Sequence, residues 1–169
     1  MHDETMKRLE SMFNALRKER KFKTTLEKLD SIFFIRDYVI HENFANQTLS
    51  RTICRRIVEL YMSWYGYLHG IVMPNPGSMA SMGESNFFNE DEKKECMRVM
   101  NKIMVHASTN SLIGLTKDKK QEAKFIDDSV AFWREVQPFL VKSMKQVNDG
   151  WKEKVAAPSM KRERDRTFG

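Results

Sequence analysis

Glycine and proline are scarce in this chain. Its 169 residues include 7 glycines and 4 prolines, and several of these fall in one stretch, PNPGSMASMG, directly after Met73. Because both residue types interrupt helices, the rest of the sequence consists of long segments of good helix formers. Strict alternation of apolar and polar residues, the pattern typical of strands, is also rare, so the sequence predicts an all-α fold.

Long apolar runs and closely spaced cysteines are missing as well. No run approaches the roughly 20 residues that cross a bilayer. Five of the first ten residues are charged, where a secretory signal needs an unbroken apolar segment. Cys54 and Cys96 stand far apart and lack the C-x-x-C spacing of a zinc or redox site. We therefore expect no membrane partner, an intracellular protein in a reducing compartment, and two buried thiols.

Motifs that bind cofactors or metals are absent. The sequence has no glycine-rich phosphate loop and no G-x-S-x-G nucleophile motif. None of its histidines is placed as in H-E-x-x-H or E-x-x-H; they are His2, His41, His69 and His106. The sequence thus predicts no cofactor and no metal site.

A helix rich in aromatic residues is predicted from Ser50 to Met73. Its apolar positions recur with a period of 3.6 residues, and they are Ile53, Ile57, Leu60, Trp64, Leu68 and Ile71. Tyr61, Tyr65 and Tyr67 widen this apolar stripe beyond a simple amphipathic face. Such a helix must be covered on most sides, so we expect the other helices to pack around it.

The other segments complete a helical bundle. An amphipathic helix is predicted from Asp3 to about Lys23, and a second from the capping box at Thr24 to Ile40. A third begins at Asn89 and a fourth near Lys117, with a kink or a break at Pro138. We predict a single-domain antiparallel bundle of five to six helices over residues 1–155, with one long irregular Pro/Gly/Met-containing loop after Met73. Residues 156–169 are expected to form a flexible, charged, basic tail.

Positive charge is the strongest functional signal. The formal net charge is +6 at pH 7, and one basic cluster comprises Arg17, Lys18, Arg20 and Lys21. A second comprises Arg51, Arg55 and Arg56 at the start of the predicted central helix, where Tyr61 and Trp64 are placed to stack on unpaired bases. Similar clusters lie at 117–124 and 161–166. These patterns favour a non-enzymatic protein that binds the RNA or DNA backbone.

Two other functions fit the same sequence. Acidic residues stand beside many of the basic ones, which reduces the charge available to a polyanion. The methionine-rich loop and the charged tail are typical of a protein that binds a protein partner within an assembly. We therefore also consider a homo-oligomer, and a structural or capsid-like subunit.

The segment Arg36-Asp37-Tyr38-Val39-Ile40-His41 resembles the R-x4-6-H motif of the HEPN ribonuclease superfamily. That resemblance implies a dimeric helical bundle in which Arg36, Asp37 and His41 act at the scissile phosphate of RNA. A guanidinium can bind a phosphate oxygen, and an imidazole can exchange protons near neutral pH. The structural alternative is that Arg36 pairs with a neighbouring acid and His41 forms the polar end of a helix.

Overall fold

The computed structural model describes residues 2–41 and 48–157, and the side chains of residues 4–39 and 48–157. Seven helices account for most of the described residues, and no strand occurs among them. They are α1 (His2–Arg20), α2 (Leu26–Phe33), α3 (Ile35–His41), α4 (Leu49–Val72), α5 (Met79–Ser85), α6 (Glu90–Thr116) and α7 (Lys119–Ala156). The all-α helical bundle is confirmed, with more helices than the five to six expected.

Helix α4 lies at the centre, as its apolar stripe predicts. It packs against α2, α3, α5, α6 and α7, and Ile53, Ile57 and Leu68 are fully buried on it. Burying a side chain of this size stabilises the fold by roughly 1.5–3 kcal/mol, so the stripe is a major source of stability. Among the residues that the structure describes, no helix is long and apolar enough to span a membrane.

The predicted second helix is two helices. Thr25, not Thr24, is the N-cap of α2, and its hydroxyl accepts a hydrogen bond from the Lys28 backbone N–H at 3.2 Å. The Thr24 hydroxyl instead donates to Asp127 of α7 at 2.6 Å. Phe34 then ends α2 in the left-handed region, with φ of 54°. The prediction of one continuous helix to Ile40 was therefore wrong.

The stretch after Met73 is more ordered than predicted. We expected no regular structure there, yet α5 forms within it, with Ser78 as N-cap accepting from the Ser81 backbone N–H. The Ser85 hydroxyl donates to the Ile71 carbonyl at 2.7 Å, which fastens α5 to α4. The Ser78 cap and this buried hydrogen bond offset the prolines and glycine that precede α5 and the glycine within it.

Helix α7 runs without a break through Pro138, where we expected a kink or two helices. A proline within a helix leaves the carbonyl four residues earlier without its donor, which here is that of Arg134. Both residues are exposed, so water can satisfy that carbonyl. The predicted tail at 156–169 falls largely outside the described residues.

Candidate nucleic-acid interface

Arg51 is used inside the fold. Its guanidinium donates to the Asn110 side-chain oxygen at 2.9 Å and lies 3.6 Å from the carboxylate of Glu122. Glu122 is itself buried and accepts a hydrogen bond from the Ser50 hydroxyl at 2.7 Å. The guanidinium also lies so close to Gly114 that a Cβ atom there would be 3.1 Å from it. Arg51 therefore joins α4, α6 and α7, and 35% of its side chain stays exposed.

Arg56 has a similar structural role. Its Nε donates to the Phe33 carbonyl at 2.8 Å, and one of its terminal nitrogens lies 3.8 Å from the Glu59 carboxylate. The guanidinium also lies over the Tyr38 ring, 5.3 Å from its centroid. Of the three arginines predicted to form an interface on α4, only Arg55 has an exposed side chain.

The two aromatic residues predicted to stack on bases differ in exposure. Tyr61 is 1% exposed, and its hydroxyl donates to the Ser129 carbonyl at 2.7 Å. The prediction for Tyr61 was therefore wrong, because no base can reach its ring. Trp64 is partly buried and packs edge-to-face on Tyr67, and its role stays a prediction.

The basic cluster at the end of α1 divides into two pairs. Arg17 donates to the Lys23 carbonyl at 2.9 Å, and Arg20 pairs with Glu19 at 3.1 Å. Lys18 and Lys21 are exposed. Two of the four predicted residues thus hold the end of the helix, and two face solvent.

A cleft lies between the α1–α2 connection and α7, and we call it the basic cleft. Its volume is about 560 Å³. Its lining includes four cationic residues, which are Lys23, Lys28, Lys124 and Arg134. They come from segments about a hundred residues apart in the sequence, which the packing of α7 beside the α1–α2 connection brings together.

Carboxylates in the basic cleft are already engaged. Asp127 accepts hydrogen bonds from the backbone N–H groups of Lys23 and Thr24, both at 2.9 Å. Asp128 lies 3.6 Å from the Lys124 ammonium group. Among the residues with described side chains, Lys23, Lys28 and Arg134 form no ion pair with a carboxylate. The cleft therefore holds a local excess of positive charge.

A second and larger cavity, the aromatic groove, runs between α6 and α7. Its volume is about 890 Å³, and its lining includes His106, Phe125 and Phe132. The His106 ring stacks on Phe125 with centroids 4.4 Å apart and lies 5.0 Å from Phe132. Three cationic residues also line the groove, namely Arg98, Lys102 and Lys124, and each pairs with a carboxylate, Glu95, Glu135 and Asp128 respectively.

His106 is neutral at pH 7 in this setting. Burial lowers its pKa to about 4, and the nearby Asp128 opposes that shift without cancelling it. Its Nε2 lies 2.8 Å from the Ser129 hydroxyl, which donates to the Phe125 carbonyl at 2.6 Å. Since the hydroxyl proton is used there, we assign the proton of the ring to Nε2. Tyr61 packs behind the His106 ring at 5.2 Å and so supports the groove from below.

The basic cleft and the aromatic groove adjoin each other. Lys124, Asp128 and Ala131 line both cavities, so the exposed face of α7 forms a ridge between them. Sequence reasoning singled out the basic segment 117–124 but missed the cleft and the groove. Their residues are single cations and core-like aromatics at helical spacing, which carry no local signal of a shared surface.

The Arg36 side chain is surrounded by acids. Its guanidinium lies 3.1 Å from Asp30, 3.3 Å from Glu10 and 3.6 Å from Glu27, and its backbone N–H donates to Asp30 at 2.8 Å. This is the structural alternative considered for Arg36. Asp37 is exposed. His41 ends α3, and its side chain lies outside the described residues.

No cluster of three or more histidine, cysteine, aspartate or glutamate side chains suited to a metal ion occurs in the described part of the chain. Both cysteines are buried, and burial raises the pKa of the Cys54 thiol to about 12 and that of Cys96 to about 11.

No protein-family model, curated protein or solved structure matches this sequence.

Proposed function

We propose that this protein is a non-enzymatic nucleic-acid-binding protein that holds a single strand of RNA or DNA across helix α7. The phosphate backbone lies along the basic cleft, and unpaired bases enter the aromatic groove on the other side of the ridge. The observation that carries the proposal is the convergence of Lys23, Lys28 and Arg134, without carboxylate partners, beside a groove lined with aromatic rings.

A phosphate backbone binds most favourably to cations that have no carboxylate partner. A lysine or arginine that neutralises a phosphate releases a condensed counterion, and this release makes binding both favourable and dependent on salt. A cation already paired with a carboxylate must lose that partner first. The basic cleft is therefore a better phosphate site than the start of α4, where Arg51 and Arg56 are engaged.

The aromatic groove favours a single strand over a duplex. Stacking on an aromatic side chain contributes roughly 1–3 kcal/mol per base, and it requires a base that is not stacked within a helix. Phe132 and His106 are partly exposed in the groove, and a neutral His106 offers its ring without the cost of burying a cation. The groove volume of about 890 Å³ leaves room for a base.

Charge reversal in the basic cleft tests the proposal. We expect Lys28→Glu combined with Arg134→Glu to weaken the binding of a fluorescent single-stranded oligonucleotide at least tenfold, as measured by anisotropy. The slope of log affinity against log salt should fall by roughly 1.4, which corresponds to two lost phosphate contacts on a single strand. Both side chains are exposed, so the fold should be kept.

The matched control is Lys142→Glu combined with Lys145→Glu. Both residues are exposed on the later part of α7 and line neither cavity described above. The control changes the net charge by the same amount, so it should weaken binding far less. Equal losses in the two variants would mean that net charge alone drives binding, and the assignment of the cleft would fail.

The ribonuclease hypothesis is not favoured by any contact of Arg36. The same binding samples can be analysed on a gel, where our proposal expects the RNA strand to stay intact. RNA that is cleaved by the unmodified protein but stays intact with the Arg36→Gln variant would favour the ribonuclease instead.

A further inference from the structure

One face of α6 is exposed and almost without charge. It comprises Met97, Asn101, Met104, Ser108, Ser111 and Leu115, flanked by Val105 and Leu112, and we call it the α6 stripe. Within it Met97 is 44% exposed, Met104 42% and Leu115 82%. Successive members are three or four residues apart, which is the spacing of a helix–helix seam.

Charge is missing from the stripe over a long distance. From Val99 to Thr116, Lys102 is the only lysine, arginine, aspartate or glutamate, and it pairs with Glu135 on the α7 side of the helix. Those 18 residues span about 27 Å. In a chain of which 31% is charged, an exposed helix face normally carries several charges. This face can therefore pack against another helix without burying an unpaired charge.

The two ends of α6 are complementary in charge. Glu90 and Asp91 at its amino end pair with Lys93 and Lys94, yet residues 90–95 together hold four acids against two lysines. Residues 117–120, just beyond its carboxyl end, hold three lysines against one aspartate. If a second α6 lies antiparallel, each acidic end meets a basic end. A parallel pairing would place like charges together. In a dimer of this chain with a two-fold axis, the pairing of an acidic end with a basic end occurs twice.

We propose that two copies of this chain form a dimer through an antiparallel contact between their α6 stripes. With the two-fold axis near residue 106, Met97 faces Leu115 of the partner subunit and Met104 faces Ser108 of the partner subunit. Asn101 faces Ser111 of the partner subunit. The small side chains at the centre let the two helices approach closely. This inference does not depend on nucleic-acid binding.

Mass measured as a function of concentration tests the dimer. The monomer mass is 20.0 kDa, and sedimentation or light scattering should show a rise to about twice that mass with increasing concentration. Ser108→Glu combined with Leu115→Glu should keep the protein monomeric throughout, because four carboxylates would lie in the contact. Both residues are exposed, and circular dichroism should confirm an unchanged fold.

The matched control is Gln137→Glu combined with Asn148→Glu, two exposed positions on α7. This control should dimerise like the unmodified protein. A monomer at every concentration, an assembly larger than a dimer, or a dimer unaffected by Ser108→Glu and Leu115→Glu would each overturn the proposal.

Disulfide trapping tests the orientation. Cysteines introduced separately as Asn101→Cys and Ser111→Cys should cross-link to each other when the two variants are mixed and oxidised. Neither variant alone should form a disulfide dimer, because an antiparallel contact separates identical positions. The native Cys54 and Cys96 are buried and should not compete. Disulfide dimers of each variant alone would indicate a parallel contact and overturn the proposal.

Discussion

At the scale of single residues, several side chains that the sequence analysis singled out for binding have structural roles in the fold. The sequence predicts Arg51 and Tyr61 as nucleic-acid contacts, whereas both form hydrogen bonds within the fold. The acceptor of the Tyr61 hydroxyl is the Ser129 carbonyl, and the Arg51 guanidinium binds Asn110. These partners lie 68 and 59 residues away in the chain, and a local pattern carries no information about them. His106 is the opposite case, since it lines the aromatic groove although nothing in the sequence around it indicates a site.

His106 should make the stability of the protein depend on pH. The folded protein holds it neutral down to a pKa of about 4, whereas the unfolded chain takes up a proton near pH 6.5. The unfolded state therefore binds more protons between these values, and the free energy of unfolding falls as the pH decreases through this window. Between pH 7 and pH 5 we expect a loss of about 1–2 kcal/mol, allowing for screening on the open side of the groove.

Urea unfolding at pH 7 and pH 5 measures this effect. His106→Gln removes the titrating group, so the difference between the two pH values should shrink by most of that amount. His69→Gln is the matched control, because His69 is exposed and should leave the difference unchanged. If His106→Gln unfolds with the same pH dependence as the unmodified protein, the account of His106 is wrong.

At the scale of helices, beginnings are easier to predict than ends. The start of α6 at Asn89 was predicted, because its capping box with Glu92 is local in sequence and is formed in the structure. The ends are different. Lys21, Phe34 and Lys117 follow α1, α2 and α6 with positive φ, and none of them is a glycine. Without the residue that usually marks such an end, the break between α2 and α3 could not be seen.

Lys21→Gly should stabilise the fold. Lys21 has a φ of 59°, a conformation that costs a residue with a side chain roughly 1–2 kcal/mol. Glycine removes this cost and adds some entropy to the unfolded chain, so we expect a net gain of about 0.5–1 kcal/mol. Urea unfolding measures it. Lys21→Ala is the control and should give no gain, because alanine keeps the Cβ atom. A gain with alanine, or none with glycine, would contradict this explanation.

At the scale of the whole molecule, the fold class was predictable from the sequence, but the basic cleft and the aromatic groove were not. The all-α bundle follows from helical periodicity and from the lack of helix breakers, which are properties of short segments. The basic cleft exists because α7 lies against the α1–α2 connection, where Asp127 accepts the backbone N–H groups of Lys23 and Thr24. Such a surface depends on the packing of helices, which local patterns in one sequence do not reveal.

Photochemical cross-linking locates the strand on the protein most directly. A single-stranded oligonucleotide containing a photoreactive pyrimidine is bound at low salt and irradiated, and the cross-linked peptides are identified by mass spectrometry. The account predicts cross-links to residues of the aromatic groove, above all Phe132 and His106, and their loss at high salt. Cross-links confined to Trp64 or to the segment around Arg55 on α4 would contradict it.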